Sequence, residues 1–270
     1  MWRLTCVVLG VLSIYLPAAE DPPPPMALTF TPAVIEAFVS EGCGHCPQVI
    51  DLLNHVVGRA RAEDAPVYVL SYHVAYWNHL GWQDRFARAV HDERQEEYGR
   101  ILRQPPRRTP LVVLNGGTVV SRSGLPHIMH LLNNALGVNP VAGIAVTGLA
   151  HEDDAVACAL VMRGHIDGLR VHLALVERAL ASEIDAGDNR DQQLIHHSTV
   201  RDLARAPVPP AHEADDKARR MTLSLGVPED ADPARLQVVA FLQDPITLRI
   251  LAAHGRDLVA TPSPPPEGSP

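Results

Sequence analysis

Hydrophobic and polar positions in the first half of the chain alternate between two periods. Ala33–Val39 is a short apolar run with Glu36 inside it, which predicts a strand. Gly42-Cys43-Gly44-His45-Cys46-Pro47 follows, and then Val49, Leu52, Leu53 and Val56 recur at helical spacing. Pro47 suits the first turn of that helix, where a missing N–H costs nothing. Pro66–Tyr72 reads as a second strand and residues 73–82 as a loop. A second helix is predicted from Asp84 to Leu102, with Phe86, Ala89, Val90, Tyr98, Ile101 and Leu102 facing inward. Leu111–Leu114 and Thr118–Ser121 flank Asn115-Gly116-Gly117 as a hairpin, and Leu125–Leu136 forms a last helix. The predicted order is β-α-β-α-β-β-α.

The pattern changes near Gly137-Val138-Asn139-Pro140. Val141–Leu149, Ala155–Met162, Arg170–Val176, Met221–Leu225, Gln237–Leu242 and Leu248–Ala252 are short β-like runs. Asp167-Gly168 and Gln243-Asp244-Pro245 mark two of the turns between them. Ala174–Ile184 also fits a helix. The fold class expected is an α/β domain over residues 31–137, followed by a mostly β, sandwich-like domain over 138–258.

The ends read differently. Arg3 and the apolar run Leu4–Leu16, followed by Pro17-Ala18-Ala19, have the layout of a secretory signal over residues 1–19. The run is shorter than the roughly 20 residues of a bilayer span. Membrane contact is therefore expected only through this segment before cleavage, and the mature chain is expected in the periplasm or outside the cell. Residues 20–30 carry Pro22–Pro25, a stiff linker, and residues 259–270 are a proline-rich tail expected to be disordered.

The 270 residues are 46% hydrophobic and 20% charged, which excludes a wholly disordered or fibrous chain. The formal net charge is −8, which argues against a nucleic-acid partner. Three cysteines remain after the leader: Cys43, Cys46 and Cys158. That is too few for a disulfide scaffold, so a hydrophobic core must hold the fold.

Cys43-Gly44-His45-Cys46 carries the most chemical information. A C-x-x-C between a strand and a helix is the redox setting, and no second C-x-x-C is present to complete a zinc site. A thiol at a helix N-terminus meets unpaired N–H groups, which favour the thiolate. Cys43 is thus the expected nucleophile, aided by a protonated His45, and Cys46 is the expected resolving thiol. Cys158 is expected to be a buried small hydrophobe.

Residues 33–136 resemble a thioredoxin fold. Cys-Gly-His-Cys is similar to the active-site tetrapeptide of protein disulfide isomerases, and Thr109-Pro110 resembles the cis-proline of that superfamily. The resemblance implies a cis bond beside the dithiol, and a substrate backbone pairing with Thr109 by strand addition. A closer resemblance covers most of the mature chain. Glu41-Gly42-Cys43, Cys46-Pro47, His73-Val74-Ala75-Tyr76-Trp77-Asn78, Leu80-Gly81-Trp82, Glu93-Arg94-Gln95, Tyr98 and Thr109-Pro110 follow an uncharacterised secreted bacterial family in order. Its pattern is S-x-G-C-x-x-C-P … H-V-x-Y-W-x-x-L-G-W. Gly187-Asp188-Asn189-Arg190 resembles that family's G-E-N-x-G-R stretch. The chain departs from the family at Gly44-His45, Ala75 and Arg108, and it lacks the tryptophan that thioredoxins carry before the first cysteine.

Further candidates follow. Glu36, seven residues before Cys43, is a candidate buried acid relaying a proton to Cys46. His73, Tyr76, Trp77 and Trp82 are a candidate aromatic rim gripping a peptide beside Cys43. His127, His130, His196 and His197 read as surface histidines, and neither a resident metal nor a cofactor is expected. The function expected is an exported thiol–disulfide oxidoreductase, of oxidant or isomerase type, acting on protein thiols or disulfides with a redox partner protein. Two alternatives stay open: a Cu(I) carrier using Cys43, Cys46 and His73, and a noncatalytic protein-binding module.

Overall fold

The computed structural model describes residues 32–120, 124–152, 154–211 and 218–259. The leader at 1–19, the linker at 20–30 and all of the tail but Val259 lie outside the described residues. So does Ser121, the last residue of the expected hairpin.

Strand β1 (Ala33–Val39) is buried along its whole length, as its apolar run requires of a central strand. Helix α1 (Cys46–Ala62) begins at the second cysteine and buries Cys46, Ile50, Leu53, Val56 and Ala60. Its inward face is rotated slightly from the predicted one, leaving Val49 and Leu52 partly buried. Strand β2 (Val67–His73) pairs with β1 in parallel, and β3 (Leu111–Leu114) pairs with β1 antiparallel. A short β4 (Thr118–Val119) completes the hairpin. Helix α2 (Ala89–Ile101) starts five residues later than the pattern suggests. Asp84 turns its carboxylate onto backbone N–H groups there instead of opening a helix. Helix α3 (Leu125–Leu136) follows.

The rest is β structure: β5 (Ala142–Glu152), β6 (Ala155–Gly164), β7 (Arg170–Glu177), β8 (Leu180–Glu183), β9 (Gln193–His196), β10 (Thr199–Pro207), β11 (Ala218–Gly226), β12 (Leu236–Gln243) and β13 (Ile250–Asp257). The segment 174–184 is not helix: β7 runs to Glu177, the strand structure breaks at Arg178 and Ala179, and β8 takes Leu180–Glu183.

The sheets do not respect the sequence boundary near residue 138. One eight-stranded sheet runs β13-β12-β7-β10-β2-β1-β3-β4 through both halves. Its seam is narrow: Thr199 of β10 stands opposite Ser71 of β2, Ser71 N donates to Ser198 O at 2.8 Å, and the two serine hydroxyls meet at 2.8 Å. The sheet β11-β6-β5 shares an apolar core with the β7 and β12 end of the large sheet, built from Ile144, Val156, Leu160, Leu173, Val238 and Ala240. Strands β8 and β9 form a separate two-stranded hairpin.

Alternation along β1 sorts its side chains onto two cores. Ile35, Ala37 and Val39 face α1 and α3, in the same cluster as Cys43 and Cys46. Val34 and Phe38 face Tyr72, Tyr98 and Phe241 on the other side. The turn Asn115-Gly116 closes against the second half. Gly116 has φ +68°, and a Cβ there would stand 1.7 Å from Leu248 O, so no other residue fits.

Candidate active site

The chain leaves β1 through a pinned loop. Cys43 N donates to Ser40 O at 3.2 Å, Gly42 N to Ser40 Oγ at 3.1 Å, and Glu41 N to Asp84 Oδ2 at 3.0 Å. Cys43 precedes the first turn of α1 and Cys46 opens it, with Cys46 N donating to Cys43 O at 3.0 Å. Both cysteines are free thiols and both are buried, whereas Gly44 and His45 between them are exposed.

The two thiols sit in unlike surroundings. The Cys46 thiol beside Cys43 favours its thiolate, and so do the Thr109 hydroxyl and the N–H groups of His45 and Cys46. Together they outweigh burial and lower the Cys43 pKa to about 6. Burial dominates at Cys46, the neighbouring Cys43 adds to it, and that thiol is held well above its usual range. The Thr109–Pro110 peptide is cis. Trp77 Nε1 donates to Thr109 Oγ1 at 2.7 Å and so fixes the hydroxyl that serves the thiols.

The aromatic segment expected as a loop ends β2 at His73 and then forms a 3₁₀ helix over Ala75–Leu80, and it divides into rim and interior. Tyr76, Trp77 and Trp82 are half-buried, and the Cβ atoms of Trp77 and Trp82 lie close beside Gly42. His73 is no part of a rim, because it is completely buried. Its Nδ1 meets Asp84 Oδ2 at 2.7 Å, and its ring packs edge-on to His196. Burial opposes charge on His73, but Asp84 outweighs it and raises the imidazole pKa. His73 correspondingly overcomes burial at Asp84 and lowers that carboxyl. Glu41 is held by Trp82 Nε1 at 2.8 Å and His196 Nε2 at 2.9 Å. Its hydrogen bond with His196 likewise overcomes burial and lowers its pKa.

Among the described residues, the ligand atoms of His73 converge with those of Glu41 and Asp84, within 4.8 Å, and not with the two thiols. The three-ligand Cu(I) set of Cys43, Cys46 and His73 therefore lacks its geometry. A cleft of about 660 Å³, lined by Arg61, Tyr68, Arg178 and His254 among others, contains no cysteine.

Glu36 is fully buried, but on the wrong face for a relay to Cys46. It shares the face of Val34 and Phe38, while Cys46 belongs to the opposite core. Arg94 holds its Oε1 at 2.6 Å and the Tyr98 hydroxyl donates to its Oε2. Arg94 Nη2 also donates to Gln243 Oε1 at 3.3 Å, which ties this pair to β12. A buried arginine needs such a partner, and Glu36 supplies it.

Four residues of the site escaped the sequence reading. Asp84 opens an apparent helix, Glu41 has only the family resemblance to mark it, and His196, expected at the surface, is buried. The fourth, Asn189, lies within Gly187-Asp188-Asn189-Arg190, and that resemblance was the only signal for it. Cys158 is buried in the core between the sheets, as its apolar run suggests.

A family model described as "Protein of unknown function (DUF1223)" matches residues 34–243, and the chain belongs to that family. Its fold is similar to the crystal structure of a protein from Agrobacterium tumefaciens: TM-score 0.61, 24% identity, covering 86% of this chain and 96% of that one. It is also similar to HBP35 of Porphyromonas gingivalis: TM-score 0.65, 14% identity, covering 89% and 80%. Comparison with curated proteins returns no match.

Proposed function

We propose that the chain is an exported thiol–disulfide oxidoreductase with a thioredoxin-like site, acting through Cys43 and Cys46 on protein thiols or disulfides. The observation that carries this reading is the asymmetry of two free thiols at one helix start, Cys43 favouring its thiolate and Cys46 its thiol. The cis Thr109–Pro110 bond, and the Thr109 hydroxyl beside both thiols, support it.

In the dithiol state the Cys43 thiolate attacks one sulfur of a substrate disulfide. A mixed disulfide forms, and the departing sulfur leaves as a thiolate that takes up a proton. Cys46 then loses its proton and attacks Cys43 Sγ. The substrate leaves reduced by two electrons, and the Cys43–Cys46 disulfide remains. The reverse sequence oxidises a substrate dithiol, and a redox partner protein resets the pair. A stabilised thiolate favours the reduced pair, which makes its disulfide the more oxidising. This is why oxidation or isomerisation is preferred over reduction.

The test is the Cys43–Cys46 reduction potential. The mature chain is equilibrated in graded glutathione buffers and its alkylated thiols are counted by mass spectrometry. A value near −180 mV or higher is expected, whereas a value near −270 mV indicates a reductase. A disulfide that resists reduction makes the pair structural and overturns the reading in favour of a binding module. Cys43→Ser should abolish turnover and Cys46→Ser should trap mixed disulfides.

A further inference from the structure

The β8–β9 hairpin is hydrogen-bonded as a strand pair to neither of the other sheets. It buries Leu180 and Leu194, and polar contacts pin it at base and tip. At its base, Asn54 Nδ2 donates to Ile195 O at 2.7 Å and Asn54 Oδ1 accepts from His197 N at 3.0 Å. On its other strand, Arg85 donates to Ala181 O at 2.9 Å. At its tip, Asn189 is 1% exposed and donates from Nδ2 to two carbonyls, Glu41 O at 2.6 Å and Cys43 O at 3.0 Å. The neighbouring Asp188 lies so close to Gly44 that a Cβ there would stand 3.2 Å from the Asp188 Cβ. The glycine of Cys-Gly-His-Cys thus makes room for this tip.

Cys43 is only 1% exposed, although Gly44 and His45 beside it face solvent. A thiolate that exchanges with external sulfurs needs access as well as a low pKa. The tip of the hairpin stands at the backbone of the attacking residue.

We infer that the β8–β9 hairpin is a size-selective cover over Cys43, latched by Asn189. It admits a sulfur carried on a narrow, flexible group and excludes one embedded in a folded surface. The chemistry rests on the exchange reading above; the geometry does not. In each case the Cys43 thiolate bonds to the near sulfur of the incoming disulfide, the S–S bond breaks, and the far sulfur departs as a thiolate. The slim carrier is either a small disulfide or an unfolded segment of polypeptide.

The experiment uses one leaving group on three carriers. The mature, reduced chain is mixed with Ellman's reagent, with an unfolded peptide bearing a cysteine–thionitrobenzoate disulfide, and with a folded globular protein bearing the same disulfide. Release of thionitrobenzoate is followed by absorbance. The small reagent and the unfolded peptide should react readily, and the folded carrier about tenfold or more slowly, the factor that two net hydrogen bonds can hold. Asn189→Ala should raise the folded-carrier rate relative to the other two by a similar factor. Asn54→Ala, at the hairpin base and away from the thiols, should act the same way.

Equal rates on all three carriers in the native chain, or an unchanged ratio in both variants, overturn the cover. If Asn189 merely tuned the thiolate, all three rates would move together with the pH midpoint. Failure of the exchange reading looks different: Cys43 reacts, but the mixed disulfide is never resolved by Cys46. Ellman's reagent reacting while the unfolded peptide does not assigns the site to small disulfides. Reaction of both leaves polypeptide segments within its range.

Discussion

The indole N–H of Trp77 donates to the Thr109 hydroxyl at 2.7 Å, and that hydroxyl also serves Cys43 and Cys46. A residue of the 3₁₀ helix Ala75–Leu80 after β2 thus sets the orientation of a group that tunes thiols at the start of α1. Thr109→Val removes the hydroxyl and strands the indole. The Cys43 alkylation midpoint should rise from about 6 by about half to one pH unit, the worth of one net hydrogen bond. Trp77→Phe should move it less, because the hydroxyl remains. Iodoacetamide rates across pH 4–9 check both; no movement in Thr109→Val removes the hydroxyl from the account.

The two thiols should separate cleanly in the native chain. Cys43 should alkylate with a midpoint near pH 6, and Cys46 should stay unmodified until the chain unfolds. The folded Cys43 value lies below the ordinary thiol value of 9.0. Its contribution to the stability of the reduced form is therefore complete above pH 9 and is lost as pH falls to about 6. Urea midpoints of the reduced chain and Cys43→Ser should accordingly converge on acidification over that interval.

Glu36→Gln leaves Arg94 buried without its counter-charge. The expected loss is about 3–5 kcal/mol by urea denaturation. Under conditions where the variant is folded, its Cys43 alkylation midpoint should match that of the native chain, because Glu36 and Cys46 lie on opposite faces of β1. A shifted midpoint would restore Glu36 to the thiol chemistry.

Asp84→Asn breaks the His73 pair and should cost about 3 kcal/mol or more near pH 5. Asp84 is lowered, so its contribution is present above 3.8 and is lost as pH falls through its folded value. His73 is raised, so its contribution is present below 6.5 and is lost as pH rises through its own folded value. The stability gap between native chain and variant should therefore be widest between about pH 4 and 6.5 and narrow above that range. A gap independent of pH across 4–9 would show that Asp84 acts only by holding the Glu41 and Phe86 N–H groups.

The elements with an unbroken local signal were legible in the sequence. Ala33–Val39, Leu111–Leu114 and Leu125–Leu136 are apolar runs or stripes bounded by turn residues, and they fold where the pattern puts them. The dithiol was legible because its spacing is chemistry, not hydropathy, whereas Thr109–Pro110 stood out only through the family resemblance. Strand β10 was not legible. Arg201 and Asp202 interrupt it, and they are tolerated because Glu177, Asp230 and Arg88 pair with them. Asp84 resembled a helix residue because its partners, Glu41 N and His73, are fixed only by folding. His196 and Asn189 reach Glu41 and Cys43 across 155 and 146 residues, separations at which no periodicity operates.

The seam between β2 and β10 has a consequence for how the molecule can be divided. Strand β2 is an interior strand only because β10 lies beside it. Cut the chain after α3, and β2 becomes a bare margin of unpaired N–H and C=O groups beside Leu70 and Tyr72, with no Asp, Glu, Lys or Arg on the strand to repel a second copy and only the buried His73 to carry charge. The dithiol half cannot be excised as a well-behaved module; it would seek another strand, from its own kind or from any extended chain in its compartment.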